Sequence, residues 1–209
     1  MKIHTLQLGP LRANCYIAET AENQCVAVDI GGDSRLFLEF IAMKKLKLSK
    51  ILLTHGHFDH IGGVEEVRKA TGAEVYIHSD DVPMLSSEGQ SLHSTMPFMS
   101  FSPVTEFITV RDNSIIHDGN YDFTVIHTPA HTLGSVCYQC SDVIFTGDTL
   151  FCCSVGRTDF PESDPSLLMP SLKKLCMIQH DLKVLPGHNE YTTLDYEKKN
   201  NPFLQRCMM

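Results

Sequence analysis

The sequence predicts an α/β fold, on three observations. Short apolar runs bounded by Gly, Asp or Thr alternate with segments of helical periodicity, the pattern of strands and helices that share a sheet. Metal-ligand residue types recur just past the apolar runs, where strands end. The chain has 209 residues, enough for one sizeable core, and no change of composition marks a second domain, so 1–209 reads as one domain.

The elements follow in order. Residues Leu11 to Ile30 form a hairpin: C-Y-I-A-E-T, a polar turn at Ala21 to Asn23, then Q-C-V-A-V-D-I ending in Gly31-Gly32. From Ser34, L-F-L-E-F-I-A-M-K-K-L has apolar residues at helical spacing, and K-I-L-L-T is a short buried strand. After His60, G-G-V-E-E-V-R-K-A-T-G predicts a second amphipathic helix closed by Gly72, followed by the strand A-E-V-Y-I-H. Pro83 to Phe107 breaks the alternation. It is rich in Ser, Met, Phe and Pro and long for a connection, which fits a lid or substrate loop, or a surface loop packed by its own apolar residues. Strands return from Ile108 through F-T-V-I-H-T-P, S-V-C-Y-Q-C and D-V-I-F-T-G-D. A helix is expected near Pro165 to Met177, then the strand D-L-K-V-L-P-G-H. No repeat of 20–50 residues is present, although two halves of β-then-α make-up are visible.

Composition excludes several classes of function. Hydrophobic residues make up 43% of the chain, and no apolar run nears the roughly 20 residues of a membrane-spanning helix. The N-terminus M-K-I-H-T-L-Q-L-G-P lacks the pattern of a secretory signal, so a cytoplasmic location is expected. A formal charge of -8 provides no basic field for nucleic acid. The cluster Lys44, Lys45, Lys47 and Lys50 reads as the solvated end of a helix. Eight cysteines without regular spacing read as reduced thiols. Cys137-Tyr-Gln-Cys140 is a lone pair, and adjacent Cys152-Cys153 does not supply the second pair of a structural zinc site.

The chemistry concentrates in L-L-T-H-G-H-F-D-H-I-G-G, Leu52 to Gly63. His55 and His57 can present imidazoles to one point, while Asp59 and His60 face a second point nearby. His131, Asp148 and His188 each sit just past an apolar strand in the same way. Burying such groups without a cation would leave polar atoms unpaired at roughly 1–3 kcal/mol each. A two-metal site is the expectation. No G-x-S-x-G elbow is present, and no cysteine is paired with a base in a known motif.

T-H-G-H-F-D-H, H-T-P-A-H-T-L-G-S, G-D-T-L-F and P-G-H-N-E-Y-T, in this order, resemble the metallo-β-lactamase superfamily, and within it the glyoxalase II-like hydrolases. The resemblance runs from A-N-C-Y-I to N-P-F-L and implies an αββα sandwich. It implies a first metal held by His55, His57 and His131, and a second by Asp59, His60 and His188, with Asp148 bridging them. The ions implied are two divalent metals, zinc first, with iron or manganese as alternatives. Asp29 resembles the family's aspartate that orients a ligand histidine. Two positions depart from the family pattern. Ala130 stands where glycine is usual, a strain of about 1 kcal/mol if its φ is positive, and Ile30 stands where proline is common. His127 matches no ligand position and reads as a packing or supporting residue.

The resemblance implies a metal-dependent hydrolase that cleaves a hydroxyacylglutathione-like thioester through a hydroxide bridging two metals, with Asp59 and Asp148 orienting it. The chain runs only a short way beyond His188, so it resembles the short hydrolases without the C-terminal helical domain, which share G-R-T-D-F-P and N-P-F-L. Arg157 and Tyr191 are candidates for holding a substrate carboxylate or amide, and Arg157 paired with Asp159 is the structural alternative. The expected partner is a small-molecule thioester, with oligomeric state left open. The rival readings are a mononuclear-iron persulfide dioxygenase, using His55, His131 and Asp148, and a lactonase on the same fold. A non-enzymatic metal-stabilised module fits less well, because structural sites are usually closed by four ligands.

Overall fold

In the computed structural model, which describes residues 1–96, 98 and 100–207, period-two alternation sorts the apolar residues into two opposed sheets. β1 (Lys2–Leu8), β2 (Ala13–Ala21), β3 (Gln24–Val28), β4 (Lys47–Leu52), β5 (Glu74–His78) and β6 (Ile108–Val110) pair in sequence order. β7 (Ile115–Asp118), β8 (Tyr121–His127), β9 (Val136–Cys140) and β10 (Val143–Gly147) belong to the second sheet. The short strands β11 (Leu150–Phe151) and β12 (Ser154–Val155) form a separate hairpin. β13 (Lys183–Pro186) and β14 (Thr192–Thr193) complete the second sheet in the order β14-β13-β10-β9-β8-β7.

Tyr16, Val26, Val28 and Leu52 of the first sheet meet Phe123, Val125, Tyr138 and Phe145 of the second in a buried layer. Their immediate neighbours Ile17, Cys25, Ala27 and Ile51 join the opposite layer. That layer is covered by α1 (Ser34–Met43) through Phe37 and Ile41, and, beyond the short α2 (Phe58–Ile61), by α3 (Val64–Thr71) through Val64 and Val67. α3 ends at Gly72 in the left-handed conformation, as the sequence predicts. On the far side α4 (Leu168–Cys176), α5 (Leu194–Asn200) and α6 (Pro202–Cys207) pack Leu172, Leu175, Leu194 and Leu204 onto Cys137, Ile144 and Val184. The result is the αββα sandwich, and each fully buried aliphatic or Phe side chain contributes about 1.5–3 kcal/mol.

Cys137 and Cys140 lie on opposite faces of β9, in different layers, so they cannot share an ion. Cys15, Cys25, Cys137 and Cys140 are buried free thiols, as expected for small apolar residues. No helix of the described residues is long and apolar enough to cross a membrane.

Strand direction positions the site. β10 pairs parallel with β13, and β9 runs antiparallel to both β10 and β8, so β8, β10 and β13 share one direction and release their following loops at one edge. The sheets are tied there by backbone bonds: Val136 N–H donates to Thr54 O at 2.9 Å and Asn14 N–H to Gly187 O at 2.7 Å. The stretch from Pro83 to Phe107, in which 97 and 99 lie outside the described residues, begins within the 3₁₀ segment Ser79–Ser86 and contains another at His93–Thr95. Leu85 and Val104 anchor it in the outer layer, and Ser91 O accepts from Phe58 N–H at 2.8 Å.

Candidate metal centre

Four loops from the shared edge bring all seven predicted ligand residues together. His55 and His57 follow β4, Asp59 and His60 lie on α2, and His131, Asp148 and His188 follow β8, β10 and β13. Two sets of three donors have their ligand atoms within 4.8 Å of one another: His55, His57 and His131, and Asp59, His60 and His188. His55, His60 and Asp148 form a third such set between them. Asp148 Oδ1 lies 3.5 Å from His60 Nε2, and its Oδ2 lies 3.5 Å from His131 Nε2 and 3.7 Å from His188 Nε2. One carboxylate therefore faces both sets.

Tautomers are set by the groups behind the rings. His60 Nδ1–H donates to Asp29 Oδ2 at 2.8 Å, and His131 Nδ1–H donates to the Arg157 carbonyl at 2.8 Å. Thr54 Oγ1–H donates to Asp29 Oδ2 at 2.7 Å, so the Thr54 oxygen is left to accept from His55 Nδ1–H at 3.1 Å. Asp29 thus orients two histidines, one directly and one through a hydroxyl. In all three rings Nε2 is directed into the cluster.

Among the described residues, five buried side-chain N or O atoms have no hydrogen-bond partner, and four of them are here: His55 Nε2, His57 Nε2, His60 Nε2 and Asp148 Oδ1. Polar atoms buried in this way cost roughly 1–3 kcal/mol each unless they gain a partner, and a cation can engage all four. Electrostatics point the same way. Burial, reinforced by the other histidines, holds His55 well below the ordinary imidazole range, and burial followed by His131 brings His57 down to about 3, so both stay neutral. Burial would also lower His60, yet Asp59, Asp29 and Asp148 outweigh it and hold that ring up to about 10. Burial opposes ionisation of Asp59, but His60 and His188 overcome it and keep the carboxyl below its usual range. Two neutral imidazoles, with a third whose proton an ion would displace, beside converging carboxylates are a donor set suited to divalent ions of the zinc and iron class.

Close approach depends on two glycines. A Cβ on Gly187 would stand 2.3 Å from Asp148 Oδ1 and 2.7 Å from His60 Cε1, and one on Gly156 would overlap the Asp148 carbonyl at 1.8 Å. Gly187 is also held by the N-terminal hairpin: Asn14 Nδ2 donates to Pro186 O at 3.0 Å and to Asn189 O at 2.9 Å, and Tyr16 Oη–H to Pro186 O at 2.7 Å.

Above the centre opens a cleft of about 410 Å³, with Leu11, Phe58, Leu92, Phe151, Val155 and Phe160 on its walls and His57, Asp59, His131, Asp148 and His188 at its base. Among the described residues of the long loop, Leu92 lines it. Arg157 reaches the cleft too, but its guanidinium is bound to Asp159 at 2.6 and 2.7 Å and lies 4.2 Å from the centroid of Phe160. The structural pairing expected of Arg157 is therefore present.

Tyr191 is corrected. The chain reverses at Asn189, φ 65, and Tyr191 lands outside the cleft, 65% exposed, with Lys183 Nζ 4.3 Å from its ring centroid. His127 is a packing residue: its ring stacks on His78 at 3.9 Å, and its Nε2–H donates to Leu133 O at 2.8 Å. Ala130 is not among the left-handed residues, so its turn carries no such strain. Ile30 uses the N–H that proline would lack, donating to His60 O at 2.9 Å.

Asp81 is the supporting residue that sequence reasoning missed. Its buried carboxylate accepts from Gly56 N–H at 3.0 Å, Thr132 Oγ1–H at 2.7 Å and Gly134 N–H at 2.7 Å, joining the His55–His57 loop to the loop after His131. The only signal in sequence was an acid soon after a strand end.

Fold and site together define a sandwich protein that gathers metal ligands at one edge of its paired sheets. The chain belongs to the metallo-beta-lactamase superfamily, a superfamily of metallo-hydrolases, which it matches over residues 8–188. It is 30% identical over 211 residues to the hydroxyacylglutathione hydrolase GloC of Haemophilus influenzae, covering 98% of each chain. Among solved structures it is similar to the BLEG-1 B3 metallo-beta-lactamase, with a TM-score of 0.86, 34% identity and coverage of 97% of this chain and 99% of that one. It is also similar to TTHA1623, solved in a di-iron-bound form, with a TM-score of 0.85, 35% identity and coverage of 96% and 100%.

Proposed function

We propose that the chain is a hydrolase of activated acyl compounds, thioesters of the hydroxyacylglutathione type first, dependent on two divalent ions at the His and Asp cluster. The observation that carries this reading is the placement of Asp148 between two triads in which three buried nitrogens, His55 Nε2, His57 Nε2 and His60 Nε2, lack partners. His55, His57 and His131 would hold one ion, Asp59, His60 and His188 the other, and Asp148 both. Ions held there supply an acidified water and polarise the carbonyl under attack.

The remaining work falls to the protein. Asp59 lines the cleft with its Oδ2 3.1 Å from His188 Nε2, and its lowered pKa keeps it an acceptor, fit to orient the attacking water. Asp29 and the Arg157 carbonyl keep the imidazoles from turning, so the base of the cleft is preorganised before substrate arrives. Phe58, Leu92, Phe151 and Phe160 displace solvent around an acyl group. Water adds to the thioester carbonyl, the C–S bond breaks, and a carboxylate and a thiol leave. The overall similarity to GloC supports the thioester, and the di-iron form of TTHA1623 makes iron the alternative to zinc.

The test is thiol release from S-lactoylglutathione by zinc-loaded protein. Turnover of about 1–1000 per second, abolished in Asp148→Ala, is expected. Silence from a correctly metallated protein would discard this thioester.

A further inference from the structure

We propose a second cation site, separate from the histidine centre, at the turn of the β11–β12 hairpin, where Cys152, Cys153 and Glu197 take a thiophilic divalent cation of the zinc and cadmium class.

One ligand atom from each of the three residues lies within 4.8 Å of the others. Cys153 is exposed and Cys152 partly so, so the thiols are open to solvent on one side. Glu197 comes from α5 and is completely buried. Its oxygens accept from Cys153 N–H at 2.8 Å, Asn201 Nδ2 at 2.8 Å and Thr192 Oγ1–H at 2.7 Å. All three donors are neutral, and among the described residues no cationic side chain pairs with it. A buried carboxylate without a counter-charge, beneath two accessible thiols, is an electrostatic cavity for a cation. Two sulfurs and one oxygen make a three-ligand set that leaves a position open to water, and sulfur selects the softer ions. Burial, Cys153 and Glu197 raise the Cys152 thiol above its ordinary value, and a bound cation would supply the missing positive charge.

His78, Asp80 and His127 also bring three donor atoms within 4.8 Å, but the two imidazoles are stacked at an interplanar angle of 14°. Near-parallel rings do not aim their lone pairs at one point, so that group is packing. The hairpin site has no such obstacle. It also borders the cleft, because Phe151, Ser154 and Val155, on either side of the two cysteines, line its wall.

Cobalt reports the site, because none of the seven residues of the histidine centre carries sulfur. Full-length protein titrated with Co²⁺ under reducing conditions is expected to develop a sulfur-to-cobalt charge-transfer band. That band should be lost in Cys153→Ser and in Cys152→Ser, weakened at least tenfold in apparent affinity in Glu197→Gln, and kept in Cys207→Ser, which removes a thiol elsewhere. A wild-type protein saturated with Co²⁺ without the band would overturn the proposal, as would a band that survives in folded Cys153→Ser.

Discussion

Asp29 shows how much of the centre rests on single polar atoms. Its φ is 55, a left-handed conformation that costs a non-glycine residue about 1 kcal/mol. In that pose it accepts from His60 Nδ1–H, Thr54 N–H and Thr54 Oγ1–H, so one carboxylate orients His60 and His55 together. Groups behind metal ligands are typically worth 10–100-fold in affinity. Asp29→Ala should therefore lower zinc affinity by about 10–100-fold while the fold persists, read by competition with a coloured chelator. Unchanged affinity would remove Asp29 from the centre. The seven residues that converge here were legible because polar residues past apolar runs are out of place in a core. The Arg157 carbonyl behind His131 was not, since every residue carries a carbonyl and only the folded chain shows which one faces a ring.

At the scale of elements, Asp81 joins loops that come from different sheets, at Gly56 on one side and at Thr132 and Gly134 on the other. Asp81→Asn would turn an N–H₂ toward N–H and O–H donors and leave at least one of them unpaired, a cost of about 1–3 kcal/mol. For a chain of this size that is a fall in Tm of about 2–10 °C, measured by thermal unfolding. A melt equal to wild type would show that the loops hold each other without it.

Element legibility followed burial. The β2–β3 hairpin, α1 and α3 were predicted from clear periodicity. β1 was not, because most of its residues are exposed or half-buried and its polar side chains blur the alternation. α5 and α6 are short, and their helical pattern is cut at Asn201-Pro202. The structure explains that N-P-F-L: Asn201 Oδ1 accepts from Phe203 N–H at 3.0 Å, its Nδ2 donates to Ser154 O at 3.0 Å, and Leu204 enters the core. Tyr191 was misplaced for a local reason, the left-handed Asn189, which proximity in sequence to His188 cannot reveal.

For the whole molecule, the centre sits where two sheets and four loops meet, so its occupancy is linked to global stability. An ion at a thousand times its dissociation constant stabilises the native state by about 4 kcal/mol, which corresponds to about 10 °C in Tm for this length. Stripping metal with a chelator should lower Tm by that order, and added zinc should restore it. A melt indifferent to both would mean that the buried nitrogens are satisfied some other way. The sandwich was legible in outline because both the strand and helix alternation and the motif order pointed to it. The facing of the sheets became visible only when Tyr16 and Val26 were seen to sort apart from Ile17 and Cys25.

In the proposed function Asp148 joins two triads into one dinuclear centre. The most direct measurement is metal content by mass spectrometry of zinc-loaded protein carrying Cys153→Ser, which takes the hairpin thiols out of the count. Two ions per chain are predicted there, and no more than one when Asp148→Ala is added. A single ion in the parent, or two that survive the loss of Asp148, would contradict the account.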